Sequence, residues 1–158
     1  MGKRADSDEH YVLDLCDEVI GTRGQRQATF PWLIGDVSPT TGRTRRLPVD
    51  GYWPRLNLVV EFQEKQHTEA VPLFDRRATV SGVPRGEQRR LYDQRKVEIL
   101  PQHGIRVVVI HESEFTTKAD KIVRAHERDI AVVRACLKTA IEDFISNYTP
   151  SDARRHFL

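Results

Sequence analysis

The feature that most constrains the fold is the run Leu56-Asn57-Leu58-Val59-Val60-Glu61-Phe62-Gln63. A mostly apolar stretch of this length, rich in β-branched residues, predicts a strand over residues 56–64 in the interior of a sheet. An interior strand needs layers packed against the sheet, so the chain must supply helices to cover it. Glu61 is out of place in such a run. A buried, unpaired carboxylate is costly, so it needs a metal or a cationic partner. The alternative is that Glu61 marks the exit to solvent, since Gln63, Glu64 and Lys65 follow.

The flanking patterns supply the rest of the layers. Val12, Leu13, Cys16, Val19 and Ile20 recur at helical spacing and predict a helix over residues 8–20, stopped by Gly21. Residues 25–36 are ambiguous, because Pro31 interrupts both the helical and the strand pattern, and residues 38–42 are turn-like. A strand is expected over residues 44–52, joined to the central one by a tight corner at Trp53-Pro54-Arg55. Residues 66–84 show no regular pattern, and a loop that long in a small domain is more often functional than idle. A helix follows over about 86–102, ended by Gly104, then a strand over 105–110. A long last helix is expected over roughly 118–146, with Ile130, Val133, Leu137, Ile141 and Phe144 as its apolar stripe. The predicted class is α/β, a small mixed β-sheet flanked by helices, in one domain of 158 residues with its core over about 8–112 and a helical extension over about 118–158.

No apolar run approaches the length of a membrane span, and residues 1–10 are too polar for a signal peptide. The expectation is a soluble, cytoplasmic protein with no membrane partner. Cys16 and Cys136 sit among apolar residues without Cys or His at zinc-ligand spacing, so buried free thiols are expected, with a disulfide between them left open. The net charge of +2 does not announce a nucleic-acid binder. Its distribution is more telling, because arginines cluster at Arg43, Arg45 and Arg46, at Arg85, Arg89 and Arg90, and at Arg154 and Arg155. Such clusters are usually solvated surface, but beside a site for a phosphate-bearing substrate they become candidate contacts.

Asp50 lies near the end of one predicted strand and Glu61 in the next, and a hairpin can bring them across from each other. Period-two alternation puts Gln63 on the face of Glu61, and Lys65 too if the strand continues. The run Leu47-Pro48-Val49-Asp50-Gly51-Tyr52, a short turn, and Leu58-Val59-Val60-Glu61-Phe62-Gln63 resembles the hallmark of the PD-(D/E)xK nucleases. The closest likeness is to small restriction-like and very-short-patch-repair-like endonucleases. It extends to His67, to the helix holding Asp93 and Lys96, and to the strand from Gly104 to Val109, covering about residues 8–112.

The resemblance implies a restriction-endonuclease-like core in which Asp50 and Glu61 bind Mg²⁺ (or Mn²⁺), with the main-chain carbonyl at Phe62 or Gln63 completing the coordination. The third motif position is usually lysine, and Gln63 in its place can hydrogen-bond water but supplies no charge. Lys65 and Lys96 are the candidate replacements. Lys96 falls among Tyr92, Ile99 and Leu100 on the predicted helix, where it needs a carboxylate partner or must snorkel to solvent, although Gln88 and Arg95 also intrude on that arc. The family often adds an acid from the first helix. Glu9 falls in line with Val12, Leu13, Cys16 and Ile20, whereas Glu18 projects to the opposite side; Glu9 could instead serve a helix-start cap with Asp6. His67 is a candidate general base or phosphate ligand, while His103 and His111 have no partner at useful spacing. Tyr52 and Trp53 suit core packing better than base stacking.

The expected function is therefore a metal-dependent endonuclease hydrolysing DNA phosphodiester bonds, with RNA left open as a substrate. Asp50 and Glu61 would hold the ion, Gln63 would position water, and Lys96 or Lys65 would stabilise developing charge on the phosphate. Arg43, Arg45, Arg46, Arg85, Arg89 and Arg90 would contact the backbone. A rival reading, favoured by the missing motif lysine, is a non-cleaving DNA-binding module that keeps the fold. A third makes the long C-terminal helix an assembly surface for a homodimer, with the acidic pair incidental.

Overall fold

Ser7 accepts a hydrogen bond from the His10 N–H at 3.4 Å and opens helix α1 (Asp8–Ile20), which Gly21 closes in the left-handed conformation at φ 87°. The structure, a computed structural model, describes residues 7–65, 80 and 82–147. After α1 come strands β1 (Gln25–Ala28), β2 (Val49–Trp53) and β3 (Leu58–Gln63), helix α2 (Arg85–Gln102), strand β4 (Arg106–His111), the short strands β5 (Thr117–Lys118) and β6 (Lys121–Ile122), and helix α3 (His126–Ser146). The four longer strands form one mixed sheet in the order β1-β2-β3-β4. The first three are an antiparallel meander, and β4 joins β3 in parallel after the α2 crossover. The fold is thus mixed α/β, with three α-helices among the described residues, α3 lying toward the C-terminus.

The sheet separates two apolar clusters. On one side Leu58, Val60 and Phe62 of β3 pack with Val12, Leu13 and Cys16 of α1 and Val133 and Leu137 of α3. On the other, Val59 packs with Leu100 of α2 and with Leu33, Leu47 and Ile105. This alternation puts Glu61 on the side of Val59, toward α2. Trp53 is fitted into the first cluster by two glycines: a Cβ at Gly24 would stand 2.4 Å from its ring, and one at Gly51 2.8 Å. Its indole N–H donates to the Thr22 carbonyl at 3.1 Å. Between α1 and α3, the Tyr11 hydroxyl donates to the fully buried Asp129 at 2.5 Å.

Several boundaries differ from the sequence-based expectations. The strand expected from residue 44 begins at Val49, because Pro48 has no N–H to donate and Arg46 makes only an isolated bridge to Ile34. The corner after it is a 3-10 turn over Pro54–Leu56, with Asn57 left-handed at φ 47°, so β3 starts at Leu58. β1 comes out of the ambiguous stretch 25–36. The strand expected over 105–110 is shifted by one residue. Helix α3 starts at His126 rather than at residue 118, because β5 and β6 form a hairpin whose turn residues Ala119 and Asp120 both have positive φ. The buried Asp8 carboxylate accepts the Ile122 N–H of that hairpin at 3.1 Å. Both cysteines are free, but Cys136 is half-buried rather than buried, its thiol donating to Glu114 at 2.6 Å. Among the described residues no helix is long and apolar enough to cross a membrane.

Candidate active site

The register Gly51↔Val60 places Asp50 opposite Glu61 at the next step, and there the ladder between β2 and β3 ends. The two carboxylates take over the main-chain groups that the ladder leaves. Glu61 Oε2 accepts the Asp50 N–H at 3.1 Å, and Asp50 Oδ2 accepts the Phe62 N–H at 2.9 Å. Each acid is thereby fastened to its partner's strand. Both come from the pair that the hairpin argument joined.

Lys96 reaches this pair from α2, with its Nζ 2.9 Å from Glu61 Oε1 and 3.9 Å from Asp93 Oδ1. Glu61 is 6% exposed. Its Oε1 is buried and meets the Lys96 ammonium as an ion pair. Burial, and next the neighbouring Asp50, push the Glu61 carboxyl up to about 8, against the opposing pull of Lys96. Glu9 at the start of α1 also lies beside Asp50: burial first, then Asp50 and Glu64, raise it to about 7. Burial raises Asp93 as well, with Lys96 opposing. Four acids thus stand around Lys96 in a partly desolvated place, and burial, then the neighbouring carboxylates, raises Glu61 and Glu9 toward and beyond neutral pH.

That imbalance is what a divalent cation would relieve, and Glu61 Oε1, buried beside the Lys96 ammonium, is an atom it could share. Among the described residues no three or more His, Cys, Asp or Glu side chains are grouped so as to hold a metal ion. Mg²⁺ requires less than that, since it commonly keeps several waters and binds through one or two carboxylates. Asp50 and Glu61 fit that smaller requirement.

The other acids of α1 are engaged elsewhere. Asp17 accepts from Arg26 at 2.6 Å and from the Gly24 N–H at 2.8 Å, which ties β1 to α1. Glu18 pairs with His126 at 2.7 Å. Ser7 is the N-cap of α1, so Glu9 is free of that duty. Gln63 ends β3 and is half-buried. Lys65 is exposed, and its engaged group is the main-chain N–H, donated to the buried Glu112 at 2.7 Å. His67 lies outside the described residues, as do Arg154, Arg155 and most of the 66–84 stretch. Tyr52 meets Phe30 edge-on at 5.0 Å and Trp53 is in the core.

Asp93, named in the sequence only as part of the helix that extends the resemblance, joins the site because it stands one turn before Lys96. Of the two other polar intruders on α2, Arg95 makes a long-range pair with Asp36 at 2.7 Å and donates to the Ile34 carbonyl at 3.1 Å, while Gln88 donates one turn along the helix to the Tyr92 hydroxyl at 3.2 Å. Arg85 and Arg89 line a cavity of about 240 Å³ with Pro48, Gln88, Asp93 and Lys96, so it adjoins the acids. Arg90 is exposed on the same helix, and Arg43, Arg45 and Arg46 are exposed on the segment that leaves and rejoins the sheet between Leu33 and Leu47. None of these six arginines makes an ion pair within 4 Å among the described residues.

In comparison with known proteins, no family model matches this chain, no curated protein matches its sequence, and no solved structure matches its fold.

Proposed function

We propose that this chain is a metal-dependent nuclease of the PD-(D/E)xK kind, with a restriction-endonuclease-like core, that hydrolyses DNA phosphodiester bonds. The observation that carries the proposal is the arrangement of Asp50, Glu61 and Lys96: two carboxylates locked across a strand pair, with an ammonium 2.9 Å from the buried one. Asp50 and Glu61 would hold Mg²⁺ or Mn²⁺, with the Phe62 main chain beside them. Such an ion, when bound, polarises a phosphoryl oxygen and lowers the pKa of water beside it.

The chain's own residues divide the remaining work. Lys96 stands where it can both neutralise Glu61 and face the charge that develops on a phosphate, the duty of the motif lysine that Gln63 replaces. Gln63 orients water by hydrogen bonding. Glu9, held near neutrality at about 7, can take or give a proton beside Asp50. The exposed arginines supply backbone contacts, so binding should weaken with salt.

Gln63 also favours a second reading, a DNA-binding module that does not cut. Incubation of the protein with supercoiled plasmid and Mg²⁺ or Mn²⁺ separates the two. The nuclease gives nicked or linear product that disappears with chelator and in Asp50→Ala and Glu61→Ala. Retained DNA binding by the wild type with no nicking would leave the binding module.

A further inference from the structure

Arg85, Arg89, Asp93 and Lys96 recur at three- and four-residue steps and therefore lie along one face of α2. That face lines the cavity of about 240 Å³ opposite Leu47 and Pro48. Asp93 and Lys96 belong both to this cavity and to the acid cluster, so the two spaces are continuous along the helix. Arg89 is one turn, about 6 Å, from Asp93 and two turns from Lys96.

The charges in the cavity do not cancel. Lys96 is committed to Glu61 at 2.9 Å and to Asp93 at 3.9 Å. Arg89 is near enough to oppose the rise of Asp93, but neither it nor Arg85 has an ion pair among the described residues. Arg85, Arg89 and Lys96 against Asp93 leave the lining of this concave space net positive. Guanidinium forks match phosphate oxygens in pairs, and Leu47 and Pro48 provide an apolar wall that a sugar can lie against.

We propose that this cavity receives a phosphate of the nucleic-acid strand next to the one held at the acid site, gripped by Arg85 and Arg89. The inference rests on the nuclease reading for the identity of the strand. The phosphate can be an internal diester or a terminal monoester, and both present the oxygens that the two forks take.

The test is binding without cleavage. Fluorescence anisotropy of a labelled single-stranded DNA octamer, with 5′-phosphate or 5′-hydroxyl, is followed against the full chain in EDTA at low salt. Arg85→Ala and Arg89→Ala should each weaken binding about tenfold. Arg134→Ala, which removes the same charge from an exposed position on α3, should change it less than twofold. A loss seen with both octamers assigns the cavity to an internal phosphate, and a loss confined to the 5′-phosphate form assigns it to a strand end. Absence of binding by the wild type, or losses in Arg85→Ala and Arg89→Ala no larger than in Arg134→Ala, overturns the proposal. Plasmid nicking with Mg²⁺ is read separately, so the nuclease reading can stand when this one falls.

Discussion

Lys96 Nζ stands 2.9 Å from Glu61 Oε1, and each residue accounts for the other's presence in an apolar setting. A glutamate in an interior strand and a lysine on the inward arc of a helix would each be costly alone. Asp50 and Glu9 remain beside them with little positive charge, which is the opening proposed for a cation.

Replacing Lys96 by Met should separate its two duties. Without the ammonium, Glu61 is an uncompensated buried carboxylate, so the metal-free protein should lose about 2 kcal/mol at pH 9 and much less at pH 6, where Glu61 takes up a proton. Denaturant melts at the two pH values check this. Cleavage should fall at least ~100-fold, in the range of lost charge stabilisation at a reacting phosphate. An equal stability loss at both pH values would mean that Lys96 contributes by packing alone.

Gln63 and Lys65 should rank below Lys96. Gln63→Ala removes a hydrogen-bonding group but no charge, and should slow cleavage by about tenfold. Lys65→Ala leaves the main-chain N–H to Glu112 intact and should change the rate less than about twofold. Single-turnover rates order the three variants; a Lys65→Ala defect as large as that of Lys96→Met would transfer the motif lysine's role to Lys65, two residues past the end of β3.

Stability of the metal-free protein should fall as pH rises. Glu61 and Glu9 titrate at about 8 and about 7 in the folded chain, against 4.5 for the ordinary carboxyl. The folded state therefore binds more protons than the unfolded state across this window, and the stabilisation present below 4.5 is lost as pH climbs through 7 and 8. Differential scanning calorimetry should give a Tm lower by roughly 5 °C at pH 9 than at pH 6. Glu61→Gln should flatten the slope, and saturating Mg²⁺ should do the same in the wild type. A Tm that rises over this range would contradict the assignment of these groups.

The packing around Trp53 gives a prediction about the scaffold. A Cβ at Gly24 would lie 2.4 and 2.7 Å from two ring carbons of Trp53, and the ring is 1% exposed, so it has no room to withdraw. Gly24→Ala should cost about 2–3 kcal/mol. Gly86→Ala, in α2 with nothing within 4 Å of the added Cβ, should be neutral or stabilising. Urea melts of the two variants make the comparison.

The sequence revealed some of these relationships and concealed others for physical reasons. Asp50 and Glu61 could be placed together because a hairpin and period-two alternation are local rules. Lys96 stood out because it broke an apolar arc. β1 was hidden because Gln25-Arg26-Gln27-Ala28 is an edge strand with no apolar alternation, held by Arg26 to Asp14 and Asp17 across the chain. The start of α3 was misplaced because the β5–β6 turn uses Ala119 and Asp120 in left-handed conformations that glycine or asparagine usually signals. Arg95 blurred the α2 pattern because its partners, in residues 34–36, appear only in three dimensions.

Asp50 and Glu61 are proposed to hold a divalent cation, and crystals soaked in Mn²⁺ and measured for anomalous scattering put that pair to the test. One strong peak is expected in coordination distance of an Asp50 oxygen and a Glu61 oxygen, absent in Asp50→Ala crystals treated alike. Well-ordered crystals with no peak between the two carboxylates, or with manganese bound only elsewhere, would contradict it.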